Sequence, residues 1–318
     1  MQLALGIDVG GTNTRGVLVG PDGKILQRQQ ILSESRMGRG RFVVRLKQLI
    51  DDLVSMSASS GSSLRGIGIG LPGILDSKEG ILYASPHFED WKNWKVREEL
   101  EKIIGRPLLL DNDANFAALG ESWKGAGRDW ENFLMLTLGT GIGGGIVIGK
   151  KLWRGDRGFA GEFGHIVVES EGVRCFCGGR GCLEMYASAT GLKTLIDLSP
   201  EETEKRRFLQ IFERGIENIT VEEVHNLARD GNIFAVGLLK RIGYYLGIGV
   251  ATLVNAFGLE KVILGGGIAP AWDFFIGDVK KEIARRTYRE TASKVQIAPA
   301  LLGNDAGILG AASAVFSQ

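Results

Sequence analysis

LALGIDVGGTNTRGVLVG, residues 3–20, decides the fold. Leu3–Asp8 reads as a buried strand ending in a carboxylate, Gly10–Asn13 as a tight turn, and Thr14–Val19 as the returning strand. Asp22-Gly23 is a hairpin signal into a third strand, Ile25–Gln30. The same pattern returns in FLMLTLGTGIGGGIVI, residues 133–148. There Phe133–Leu138 is a strand, Gly139–Gly145 a glycine turn and Ile146–Ile148 a strand again. Two strand–turn–strand units in one chain predict a duplicated α/β domain.

Working outward, Phe42–Met56 has helical apolar spacing at Val43, Leu46, Leu49, Ile50 and Leu53. Gly66–Gly70 and Pro107–Leu110 read as short buried strands. Glu201–Arg207 and Val221–Arg229 are charged and helical in character, an elaboration on the second lobe. Ile242–Phe257 reads as a buried helix leading into the strand Lys261–Leu264 and the turn Gly265–Gly267. The last helix, Ala306–Phe316, is expected to be capped at Asn304-Asp305 and to pack back on the first lobe.

The bulk numbers agree. At 318 residues the chain fits two lobes of ordinary size. It is 44% hydrophobic and 24% charged, the composition of a folded soluble protein. Lys plus Arg number 38 against 37 Asp plus Glu, so no basic excess points to nucleic acid or a membrane surface. The apolar runs fall short of the roughly 20 residues that span a bilayer. The apolar start lacks a basic region, so the expected compartment is the cytoplasm. The 47 glycines cluster between apolar stretches, which argues for tight strand turns and close backbone approaches.

Both glycine turns follow apolar strands. Phosphate binding needs bare backbone N–H groups converging on an anion, and glycine lets the chain come that close. Gly10, Gly11, Thr12 and Asn13 can form one cradle, and Thr140, Gly141 and Gly143 the other. A plain hairpin turn reads the same way singly; matched positions favour the cradles. GxxxxGK[ST] is absent, so no Walker-type site is expected. Asp8, at the end of the first strand, can hold Mg²⁺ through water.

Leu108–Asp113 is a strand ending in two carboxylates and an amide, with helical Ala114–Trp123 behind it. A helix N-terminus favours the ionised form of Asp113 and so a base ready to accept a proton; a bare helix cap is the alternative. His165, Cys175, Cys177 and Cys182 gather all three cysteines and one of three histidines. One His and three thiolates make a tetrahedral zinc set with no position left open for catalysis. A cytosolic chain gains little from disulfides, and buried free thiols are the remaining alternative. Glu162 and Glu184 flank this cluster; carboxylates can select sugars by accepting from vicinal hydroxyls, and the alternative is that they are surface groups or groups supporting the metal ligands.

Taken together these segments resemble the family of repressors and sugar kinases called ROK. The resemblance rests on Asp8-Val-Gly-Gly-Thr-Asn13, Leu110-Asp-Asn-Asp-Ala-Asn115, Leu138-Gly-Thr-Gly-Ile-Gly-Gly-Gly145, Gly161-Glu-Phe-Gly-His165 and Cys175-Phe-Cys-Gly-Gly-Arg-Gly-Cys-Leu-Glu184. Gly265-Gly-Gly267 and Gly303-Asn-Asp-Ala-Gly307 complete it, in family order across nearly the whole chain.

That resemblance implies the two-lobed actin/hexokinase/Hsp70-like ATPase fold, of ribonuclease H-like α/β type, with a cleft between lobes. The expected lobes are residues 1–112 plus 305–318, and residues 113–304 with the zinc loop and the helical insertion. It implies Asp113 as catalytic base at a hexose 6-hydroxyl and Asn112 as a sugar contact. Glu162, His165 and Glu184 would line the C1–C3 side of the sugar, with His165 also on zinc. Gly10–Thr12 and Thr140-Gly141 would hold ATP phosphates, Gly265, Gly266 and Gly267 would face the adenosine, and Asp8 would serve Mg²⁺.

The implied function is a glucokinase, with Met185-Tyr-Ala-Ser188 resembling that branch, acting as a homodimer or homotetramer. N-Acetylmannosamine, N-acetylglucosamine or fructose as substrate is the alternative, to be supported by a roomy pocket near Gly73 and Pro86–His87. A binding-only sugar regulator requires a broken phosphate turn or a missing base, and neither is seen. Family repressors carry a helix-turn-helix domain before the first strand. With that strand starting at Leu3, DNA binding is not expected.

Overall fold

The computed structural model describes the 318-residue chain except Ser35, Arg36, His87, Glu89, Glu213 and Arg214. The elements run β1 (Gln2–Val9), β2 (Asn13–Val19), β3 (Ile25–Leu32), α1 (Arg39–Ser59), β4 (Ser63–Leu71), β5 (Ile74–Asp76), β6 (Ile81–Ala84), α2 (Val96–Ile104), β7 (Leu108–Asn112) and α3 (Asp113–Lys124). They continue with β8 (Phe133–Leu138), β9 (Ile142–Ile148), β10 (Lys151–Leu152), α4 (Glu184–Ala187), α5 (Ala189–Asp197), α6 (Glu202–Leu209), α7 (Val221–Arg229) and α8 (Ile233–Phe257). The chain ends with β11 (Lys261–Gly265), α9 (Trp272–Arg286), α10 (Arg289–Ala292), β12 (Gln296–Pro299) and α11 (Ala306–Phe316).

The duplication appears in the sheets, ordered β3-β2-β1-β4-β7 and β10-β9-β8-β11-β12. In each, three consecutive strands lie side by side, and two more join in parallel beyond the first of them. Each turn is closed by a backbone bond of 2.9 Å, Gly10 N–H to the Asn13 carbonyl three residues on and Gly139 N–H to the Gly141 carbonyl two residues on. One expectation is corrected here. β9 begins at Ile142, so the second turn ends at Gly141 and Gly143–Gly145 are strand.

By packing, the chain forms two compact units: Met1–Asn132 with Gly145–Gly161 and Leu301–Gln318, and Phe133–Gly144 with Glu162–Ala300. This division differs from the expected lobes at residues 113–132, where α3 lies along α11, at 145–161 and at 301–304, all of which pack in the first unit.

In the first unit the pleat sorts β1 by parity. Leu3, Leu5, Ile7 and Val9 enter the core beneath α1 and α2, whereas Ala4 joins the core beneath α11. Gly6 shares that second face, where the Ile308 carbonyl occupies the space a Cβ would take. Asp8 is the next residue along it.

In the second unit α8 packs on α9, α4 and α7. Among the described residues it is the one helix long and apolar enough to cross a membrane, although the sequence suggested no run of that length. Leu238, Leu239, Ile242, Leu246, Val250 and Val254 are buried against its neighbours, which is how a core helix uses such a surface.

Candidate functional site

In the first unit, two places hold the expected site residues. At the end of β1 the Gly10–Asn13 turn is pinned from β3's far end. Ser33 Oγ donates to the Gly10 carbonyl (2.6 Å) and lies 2.9 Å from Thr14 Oγ1, while Ser33 N–H donates to the Thr12 carbonyl (2.8 Å). Sequence reasoning missed Ser33, which stands just after a strand and matches no motif. Burial pushes the Asp8 carboxyl up to about 6, with Arg15 pulling the other way. Gly307, in the first turn of α11, lies so close that a Cβ there would stand 3.2 Å from Asp8 Oδ1.

The second place is the β7–α3 junction, where three adjacent polar residues separate into three tasks. Asp111 is buried, and its carboxylate accepts from Asn112 N (2.8 Å), Asn115 Nδ2 (2.8 Å) and Arg154 Nε (2.6 Å). Asn112 caps α3, its Oδ1 accepting from Ala114 N (2.8 Å) and Asn115 N (3.3 Å). Its Nδ2 donates to the Gly73 carbonyl at 3.1 Å. Asp113 opens the helix, half-buried, with Oδ1 accepting from Ala114 N at 2.9 Å. The positive end of α3 therefore favours the ionised carboxylate at Asp113.

Asp305 does not cap α11. Its carboxylate takes a bidentate pair from Arg28 at 2.6 and 2.8 Å, and no side-chain cap bond forms. Leu301 and Leu302, which lead into that helix, are held instead by the buried Glu121, whose oxygens accept both N–H groups.

In the second unit, His165, Cys175, Cys177 and Cys182 come together as expected. Their ligand atoms all lie within 4.8 Å of one another, Cys177 Sγ to Cys182 Sγ at 3.6 Å and His165 Nδ1 to Cys175 Sγ at 3.7 Å. Ligand–ligand edges of a tetrahedral zinc site with bonds of about 2.0–2.3 Å are roughly 3.5–3.8 Å, so the set fits zinc. Burial pushes the Cys175 thiol up and, with the neighbouring sulfurs, the Cys182 thiol up to about 12. A dication is what makes several adjacent thiolates compatible with burial. No pair within the set is a disulfide.

His165 Nε2, the ring nitrogen facing away from Cys175, stands 3.9 Å from Glu162 Oε2. Burial pushes the Glu162 carboxyl above its ordinary range; His165 opposes this and Glu184 adds to it. Glu184 is itself buried, at the start of α4, and Oε2 accepts from Ile142 N at 2.7 Å. A Cβ on Gly141 would overlap that oxygen, so only glycine permits the approach.

Thr140 and Gly139 are fixed from α5. Ala189 N–H donates to the Gly139 carbonyl (3.0 Å), and Thr190 Oγ1 to the Thr140 carbonyl (3.0 Å). In the Gly265–Gly267 turn, Gly266 has φ +91° and presses on the Leu138 backbone, and Gly265 would meet the Ala300 side chain. A Cβ on Gly267 would meet nothing, which leaves this part of the turn open to a ligand. His87 of the expected acetamido pocket lies outside the described residues.

The ROK family model matches residues 4–318. The glucokinase of Halalkalibacterium halodurans is 36% identical over 316 residues, 99% of this chain and 95% of that one. The xylose repressor of Bacillus subtilis is 30% identical across 99% of this chain and 77% of its own length. The crystal structure of a ROK family glucokinase from Streptomyces griseus, in complex with glucose and AMPPNP, is similar with a TM-score of 0.80. The two are 31% identical, over 99% of this chain and 100% of that one. The fold is accordingly that of the actin/hexokinase-like ATPases. Matched by the family model over nearly its entire length, the chain belongs to the ROK family.

Proposed function

We propose that the protein is a glucokinase, transferring the γ-phosphoryl group of ATP to the 6-hydroxyl of glucose. Family membership and glucokinase relatives at 36% identity make it an ATP-dependent sugar kinase. The choice of glucose is the finer reading. The observation that carries the mechanism is the β7–α3 junction, which leaves Asp111 locked in ion pairing and Asp113 at the head of a helix.

Asp113 accepts the proton of the 6-hydroxyl as that oxygen attacks phosphorus. The positive end of α3 favours a charged carboxylate there, which suits Asp113 to accept a proton. Asn112 uses one Nδ2 hydrogen on Gly73, which leaves its other hydrogen for a sugar hydroxyl. Glu162 and His165 Nε2 recognise further hydroxyls, and Glu184 shares that task through the oxygen not given to Ile142.

ATP, carried as its Mg²⁺ complex, supplies the phosphoryl group, and the ion neutralises charge on the phosphates. Asp8 would hold that ion through water. Backbone N–H groups of Gly10–Asn13 and of Thr140-Gly141 would cradle the phosphates, and Gly265–Gly267, open at Gly267, would accept the adenosine. Zinc on His165, Cys175, Cys177 and Cys182 has no open position, so it anchors the loop and does no chemistry. We place the enzyme in the cytoplasm, where ATP and reduced thiols coexist.

ADP release with Mg-ATP across glucose, mannose, fructose, N-acetylglucosamine and N-acetylmannosamine tests the substrate. The highest kcat/KM is expected on glucose. A preference of tenfold or more for an acetamido sugar would reject glucose and keep the mechanism. Binding of sugar without turnover of any would favour a regulator, a reading to which the similarity with xylose repressors lends support.

A further inference from the structure

We infer that Arg154 is a positioning residue for the base, acting through the buried carboxylate of Asp111. Asp111 is 2% exposed and stands two residues before Asp113. A carboxylate so buried needs both a cation and hydrogen-bond donors, and each of its oxygens has found a different partner set. Oδ1 takes the Asn112 N–H and the Asn115 amide, which are the last peptide of β7 and the first turn of α3. Oδ2 takes Arg154 Nε at 2.6 Å.

Arg154 does not come from β7 or α3. It comes from the segment after β10, and its side chain is only partly covered, at 39% exposed. The cation therefore reaches in from a separate loop to neutralise the charge that sets the Asn112 peptide and the Asn115 side chain. Asn112 in turn caps the helix on which Asp113 stands. Remove the cation, and the buried Asp111 carboxylate loses its counterion, which loosens its hold on the donors that fix the first turn of α3.

This inference rests on Asp113 being the base, and the test separates the two. Arg154→Met, Arg154→Lys, Asp111→Asn and the double variant Asp111→Asn/Arg154→Met are assayed as full chains with their zinc. For each, kcat, both KM values and the melting temperature are measured beside Asp113→Asn.

Arg154→Met is expected to lower kcat by about tenfold or more, with the KM for ATP within about twofold of wild type. Arg154→Lys should recover a clear part of that loss because the charge returns. The double variant should lose no more than the worse single variant, since a neutral residue 111 no longer needs the cation. Wild-type kcat in a folded Arg154→Met overturns the proposal, whatever its melting temperature, and so do losses that multiply in the double variant. If Arg154→Met does not fold, Arg154→Gln carries the same test, and its kcat at the wild-type level is equally fatal. Wild-type turnover by Asp113→Asn would instead bring down the base assignment and this proposal with it.

Discussion

Glu184 Oε2 accepts the backbone N–H of Ile142 at 2.7 Å, against a glycine that leaves it room. Glu184 follows Cys182 of the metal set by two residues, and Ile142 follows the Gly139–Gly141 turn. One hydrogen bond thus joins the loop proposed to recognise sugar to the turn proposed to hold phosphate, both within the second unit.

A methyl group at Gly141 should break that join. Gly141→Ala forces the Glu184 carboxylate off Ile142 N, and a displacement of about 1 Å near reacting groups can cost on the order of 10²-fold. We expect kcat/KM for glucose to fall at least tenfold, with zinc content unchanged. Steady-state kinetics on metal-quantified protein checks this.

Zinc should be present at about one equivalent per chain in protein purified without chelator. Cys182→Ser should lower metal content and melting temperature together. The affinity for sugar should drop more than that for ATP, because Glu162, His165 and Glu184 all adjoin the anchored loop. Elemental analysis and calorimetric titration with each ligand measure both effects. A folded, active, zinc-free enzyme contradicts the assignment.

Ser33 offers a test of the first phosphate turn. Ser33→Ala leaves the Gly10 carbonyl without its donor and Thr14 Oγ1 without its partner. Losing one buried partner costs about 1–3 kcal/mol. The KM for ATP should rise several-fold while the KM for glucose stays near wild type. Equal effects on both substrates would point to a general loosening of β3.

Asp8 gives a pH signature. Its carboxyl is raised to about 6 from 3.8 by burial, so the folded chain holds this proton after the unfolded chain has lost it. Its contribution to stability is therefore complete below pH 3.8 and is lost as pH rises to about 6. At about 1.4 kcal/mol per pKa unit, this is roughly 3 kcal/mol by neutral pH. Asp8→Asn should accordingly be more stable than wild type at pH 7.5 in metal-free buffer. The gain should shrink towards pH 4, as measured by denaturant unfolding.

Much of this was legible in the sequence where side-chain period speaks. The strands β1–β4, β7, β8 and β11, the helices α1 and α7 and the first turn lie within a few residues of their expected places, because alternation and helical spacing are local signals; the short β5, β6, β10 and β12 were not read. The start of β9 was missed since glycines at 143–145 carry no side chain for alternation to show. The Asp305 carboxylate expected to cap α11 is taken instead by Arg28, a partner 277 residues away. In Leu110-Asp-Asn-Asp only the nearness of Asp113 to the helix start sets the two carboxylates apart; the ion pair that holds Asp111 comes from Arg154, which arrives from another part of the chain. The cysteine cluster was readable because its spacing is short and its chemistry narrow. Ser33 and Glu121 were not, since a buried hydroxyl or carboxylate gains meaning only from the backbone groups packed around it.

The central claim is that Asp113 is the base of a hexose kinase, and Asp113→Asn tests it most directly. Turnover of glucose with Mg-ATP should fall about 10²–10⁴-fold, while glucose still binds within a few-fold of the wild-type Kd and the melting temperature holds. Turnover within a few-fold of wild type would contradict the account.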